Sequence, residues 1–150
     1  MPDALVKIIL LAHAISATVL TGSLTHLAIV LVRARTGRHN PRLLALYPSV
    51  ALGAYGCTVA LGALLYPRYR VGVRAEHLDL HHRTLSVLFD VKENVAVLVG
   101  PLLLAAWLST RAEASRKSPG PIARVSGIAA VGAVWFNALT GLWVTSVRGV

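Results

Sequence analysis

Four long apolar runs, at 8–32, 43–65, 85–108 and 125–147, constrain this chain more than any other feature. A hydrocarbon layer about 30 Å thick is crossed by roughly 20 residues at about 1.5 Å rise each, and every run is long enough. Lipid offers no partner to a backbone amide, so such a run must satisfy its own hydrogen bonds as a helix. The expected fold is therefore all-α: an integral membrane four-helix bundle forming a single domain over 1–150. Its spans are expected at about 5–32, 43–66, 84–108 and 122–147. Composition agrees. The chain is 55% hydrophobic and 14% charged, with mean hydropathy +0.65, whereas soluble domains are about 25% charged.

The charge balance is basic, with 15 Lys plus Arg against 6 Asp plus Glu, a net +9. The cations lie mostly between the apolar runs, where they meet anionic headgroups. The lipid bilayer is thus the expected partner, and nucleic acid is not. The single Cys57 lies within an apolar run, which rules out an intramolecular disulfide and a cysteine-rich metal site. No P-loop, dinucleotide-binding glycine fingerprint, GxSxG or HExxH pattern occurs. The run after Lys7 continues to Val32, too long for the core of a cleaved leader, so a membrane helix is expected there.

The first helix carries His13 and His26, about 20 Å apart along the axis and expected on different faces. Ala14, Thr18, Gly22 and His26 follow at i, i+4. That ladder suits either close packing against a neighbouring helix or a groove admitting a flat cofactor to His26. Gly37, Asn40 and Pro41 end the helix and turn the chain, with His39 as a solvated loop residue. In the second helix Gly53, Gly56 and Gly62 permit close approach, Tyr47 and Tyr66 are placed as interfacial anchors, and Pro67 is the expected stop. The basic, aromatic stretch to Arg74 suits a membrane surface. Residues 75–83 read as an amphipathic lead-in continuous with the third helix, and His77 and His81 have the i, i+4 spacing that chelates a metal from one face.

The third helix breaks the apolar rule at Phe89, Asp90, Val91, Lys92, Glu93 and Asn94. Taken as one helix from Glu76, it aligns Asp79, His82, Ser86, Asp90, Glu93 and Val97 on one face. Pro101 is a candidate kink, 109–121 reads as a solvated turn, and the fourth helix offers Asn137 and Thr140 as buried polar groups. His13, residues 90–94, Cys57, Thr58, Asn137 and Thr140 all fall roughly 10–15 Å below the same surface. Each charge near a helix centre costs about 2.5–3.5 kcal/mol, so these groups should face inward and pair. Glu93 is expected to pair with His13, and Lys92 to snorkel toward the headgroups.

Three functions can use such a layer. The first is a redox subunit binding haem b and passing electrons within a bacterial membrane complex, with ligands drawn from His13, His82, His81 and His26. The second is a divalent-metal or proton site built from His13, Asp90 and Glu93, with His77 and His81 as further metal candidates. The third is a cofactor-free accessory subunit, its polar layer a lock on helix register, packing against other membrane subunits or a second copy. No residue is assigned a catalytic role, and an enzymatic role would depend on a partner.

Arg33, Arg35, Arg38, Arg42, Arg111, Arg116, Lys117 and Arg124 lie on the side of the first and third connections, against six cations on the other. The positive-inside rule then puts both termini outside. Finally, the stretch 10–23, LLAHAISATVLTGS, resembles the first helix of copper-resistance D-type and related small bacterial membrane proteins. In those proteins an early histidine is followed a few turns later by a glycine, here His13 and Gly22. The resemblance covers one helix and implies a multi-pass bundle in a bacterial inner membrane with a haem or metal site. The chain departs from copper carriers in having no methionine-rich or cysteine-rich motif.

Overall fold

A computed structural model describes residues 2–37, 40–112 and 119–147. Arg38, His39, Arg116, Lys117 and Arg148, which entered the loop and orientation readings, lie outside the described residues. The chain forms α1 (Asp3–Ala34), α2 (Pro41–Arg68), a π-helical segment (Tyr69–Leu78), a single turn α3 (Asp79–His81), α4 (Arg83–Ala112) and α5 (Pro121–Val147). No strand occurs among the described residues. Four helices are long and apolar enough to cross a membrane, as expected from the four runs. Asn40 starts α2 by accepting a hydrogen bond from the Leu43 amide, with Pro41 at the first helical position, where a missing N–H costs nothing.

The helices make an up-down-up-down ring. The α1–α2 and α4–α5 hairpins pack most extensively, while α1–α5 and α2–α4 close the circle. At the end holding the two short connections the interior is one continuous apolar core. Leu20, Leu24, Leu27 and Leu31 of α1 meet Leu44 and Ala51 of α2, Val99 and Leu103 of α4, and Ala130 and Val134 of α5. Close approach matters here: a Cβ on Gly127 would stand 2.7 Å from the Leu31 Cδ1. Toward the termini the apolar packing splits in two. Val6, Ile9 and Leu65 form one cluster, and Val73, Leu78, Leu85, Phe89 and Val144 form the other.

Several local expectations change. Pro67 does not stop the second helix. The chain stays helical through it, winds as a π-helix and reaches His81. The break falls instead at His82, with φ −140° and ψ 60°. The lead-in 75–83 thus continues α2 rather than α4, and the stripe drawn from Asp79 to Val97 is cut at His82. Proline removes only one amide donor, and a π turn, with its i→i+5 bonds, offers freed carbonyls other partners. Two further differences are smaller. Residues 109–112 extend α4 rather than opening a turn. Ala14, Thr18, Gly22 and His26 are all exposed on the outside of the bundle, not packed within it.

Candidate functional site

Between the two clusters at the terminal end lies the polar part of the bundle. It is set by α2, where Thr58, Gly62, Tyr66, Arg70 and Arg74 recur every four residues and continue into the π-helical segment. His13 of α1 sits on this ladder. Its Nδ1 lies 3.0 Å from the Thr58 carbonyl oxygen. A carbonyl only accepts, so Nδ1 is the donor here, and in the neutral ring Nε2 then keeps the lone pair. Gly62 makes room for the ring, since a Cβ there would be 3.2 Å from His13 Cε1.

One turn further on, Tyr66 links two charges. Its hydroxyl accepts from Arg70 Nη1 at 2.7 Å and donates to Glu93 Oε2 at 3.4 Å. Lys92, the neighbour of Glu93, turns its stem toward α5, within 3.7 Å of where a Cβ on Gly141 would be. Its ammonium rests 5.2 Å from the Phe89 ring centroid, a cation–π contact on the hairpin side of the layer. The ammonium is also near enough for its charge to act on both Glu93 and His13. The interior therefore draws groups from all four spans: His13 beside Thr58 and Gly62, then Tyr66 with Glu93 one turn nearer the terminal surface, with Lys92 against the Gly141 notch beside buried Thr140.

Asp90 belongs to a second level, nearer the surface. Arg74 grips it through two nitrogens at 2.5 and 2.8 Å and reaches Asp79 at 3.9 Å. Ser86 donates to Asp79 from the far side of the His82 break. These side chains pin the π-helical segment onto α4. The Arg74 side chain is 23% exposed and those of Asp90 and Asp79 are 43% and 47% exposed, so water or headgroups reach this level. At the chain's start, Asp3 pairs with Arg68 at 3.0 Å on the same surface.

The expected site residues are thus distributed rather than gathered. Glu93 is held by Tyr66, not by His13. Asp90 is held by Arg74. Cys57 and Asn94 face outward, and Asn137 spends its amide on the Ala133 carbonyl of its own helix. His77, His81 and His82 cluster at the hairpin tip, with ring centroids 5.1 and 5.4 Å from His77. His26 stacks on Tyr47 at 5.3 Å in the other half of the membrane. Both His13 and His26 rest against α2, at separate levels, so they share no site. Among the described residues no three His, Cys, Asp or Glu side chains converge on a position a metal ion could take. His13, Asp90 and Glu93 do not form the ligand set read from their common depth, and His77 and His81 stand apart from it.

Gly62 was expected in close packing, Tyr66 at the interface and Arg70 and Arg74 on a membrane surface, and none of the four was expected to join the polar groups of the interior. Their signal was the i, i+4 ladder running from Thr58 through Pro67, which a helix stop at Pro67 conceals. No protein-family model, curated protein or solved structure matches the chain. The likeness of its first helix to copper-resistance D-type proteins therefore rests on the residues around His13 and Gly22 alone.

Proposed function

We propose that this chain is a proton-handling membrane subunit with a one-sided acid–base site, in which His13 is the internal proton acceptor and Glu93 exchanges protons with the hairpin-side surface. The observation that carries this reading is the 3.0 Å contact of His13 Nδ1 with the Thr58 carbonyl oxygen. The Thr58 carbonyl takes the Nδ1 proton of the neutral ring as its donor and leaves Nε2 as the acceptor, one helical turn from the Tyr66–Glu93 pair. An imidazole with a free Nε2 lone pair is able to take up a proton and return it. Intramembrane ionisable groups that face the bundle interior commonly form such relays. Tyr66 and Arg70 extend the polar path from Glu93 to the surface. The continuous apolar core around Leu24 and Leu103 gives no path onward, so the site loads and unloads from one side.

The test uses the protein labelled with 15N-histidine in lipid bilayers. His13 is expected to give the Nδ1–H tautomer at neutral pH and to titrate with a midpoint displaced in Glu93→Gln. The reconstituted protein is expected to leak protons no faster than empty vesicles under an imposed potential. An Nε2–H tautomer, or a proton flux that His13→Ala abolishes, sinks the one-sided reading.

A second reading keeps haem b and electron transfer. A histidine that donates from Nδ1 to a backbone carbonyl is oriented as metal-ligating histidines are, with Nε2 presented to the metal. That reading expects a sharp alpha band in the dithionite-reduced minus oxidised spectrum, lost in His13→Ala. A flat spectrum on folded protein removes it and leaves the proton reading standing.

A further inference from the structure

All the carboxylates among the described residues, Asp3, Glu76, Asp79, Asp90 and Glu93, lie toward the terminal end. The opposite end carries Arg33, Arg35, Arg42, Arg111 and Arg124 with no described carboxylate beside them. Two of these arginines lie on one seam. Trp107 of α4 donates from Nε1 to Ser49 Oγ of α2 at 3.0 Å, which fixes the register of the antiparallel pair. One turn beyond Trp107 along α4 is Arg111, and two turns before Ser49 along α2 is Arg42, so helical spacing brings both to the same mouth of the α2–α4 seam. The Arg111 guanidinium lies over the Trp107 ring, 4.2 Å from its centroid. A cation–π contact uses the face of the guanidinium and keeps its N–H donors available to an anion. Among the described residues neither Arg42 nor Arg111 has an ion pair or a hydrogen bond. Below them, toward the membrane centre, Leu46, Val50, Leu104 and Leu108 are exposed. In antiparallel helices in this register, these four fall on the same flank of the seam.

We propose that this seam is a binding site for an anionic phospholipid. Its phosphate sits between Arg42 and Arg111, its glycerol region lies beside Trp107, and an acyl chain runs along Leu46, Val50, Leu104 and Leu108. Charge complementarity selects the lipid. Two guanidiniums at an end whose described residues include five arginines favour a headgroup with net negative charge, while a zwitterionic headgroup brings an ammonium into the same field. The apolar flank distinguishes a lipid from free phosphate, because inorganic phosphate gains nothing from it. The site is independent of the proton reading and lies at the other end of the bundle.

The experiment is native mass spectrometry of the detergent-solubilised full chain with added phosphatidylglycerol, phosphatidylcholine or inorganic phosphate. Phosphatidylglycerol adducts are expected to bind at least tenfold more tightly than phosphatidylcholine. Binding is expected to fall about threefold in R42Q or R111Q and at least tenfold in R42Q/R111Q, but not in R35Q, which removes the same charge away from the seam. Replacing Leu108 with Asn should weaken the lipid adduct while leaving the arginines in place. Equal binding of phosphatidylcholine, an equal loss in R35Q, or displacement of the lipid by inorganic phosphate at matched concentration overturns the proposal.

Discussion

The two halves of this bundle solve the same packing problem in opposite ways. In the half nearest the short connections, leucines and valines from all four spans meet in one core, and the hydroxyls there, such as Ser23 and Ser126, bond back to their own helices. In the half nearest the termini, the apolar contacts split into two clusters, and His13, Tyr66, Lys92 and Glu93 fill the space between them. Membrane helices gain no hydrophobic driving force from each other, so tight van der Waals contact must hold them. The first half supplies that contact. The second gives some of it up to keep ionisable groups at a depth where each costs about 2.5–3.5 kcal/mol.

The sharpest way to break this contrast is to damage each half and compare unfolding free energies in detergent. Leu24 is fully buried at the centre of the continuous core, and Leu24→Ala is expected to cost about 2–5 kcal/mol through the cavity it leaves. Arg74→Met should cost less. It strips Asp90 and Asp79 of their partner, but both carboxylates are nearly half exposed. The loss should therefore be nearer about 1 kcal/mol than the about 3–5 kcal/mol of a fully buried pair. Accelerated hydrogen exchange across Tyr69–Leu78 is expected with it, since Arg74 pins that segment. Gly62→Ala should cost about 1 kcal/mol or less, because only the edge of the His13 ring must move by a few tenths of an ångström. Its signature is a weakened Nδ1–H to Thr58 bond, read from the His13 15N shifts. Glu93→Gln, which keeps shape and the hydrogen bond from Tyr66, should change stability by about 0.5 kcal/mol or less. If Glu93→Gln instead costs as much as Leu24→Ala, the polar half is a register lock and the functional contrast collapses.

The candidate site was only half legible in the residues. The depths of His13, Lys92 and Glu93 follow from counting along helices, and His13 lies about one turn from the Tyr66–Glu93 pair. Their partners do not follow from counting. Asp90 shares a depth with Glu93 in a linear reading, yet Arg74 claims it from a segment that the stop at Pro67 placed elsewhere. Cys57 and Asn94 also have the right depth and point the wrong way. Depth depends on rise per residue, which is nearly constant. Facing depends on rotational phase, which a π-helical stretch and a break at His82 both reset.

Four spans, an all-α chain and the placement of Arg42 and Arg111 outside the apolar runs were determined by the sequence alone. The reason is that lipid forces long apolar runs to close their own backbone bonds and drives guanidiniums to the headgroups. Only the tertiary structure decided which groups touch: His13 with Thr58, Tyr66 with Glu93, and Arg74 with Asp90 across the hairpin. Those choices rest on angles between neighbouring helices and on where a helix bends without ending, and neither is written in the pattern of any single span.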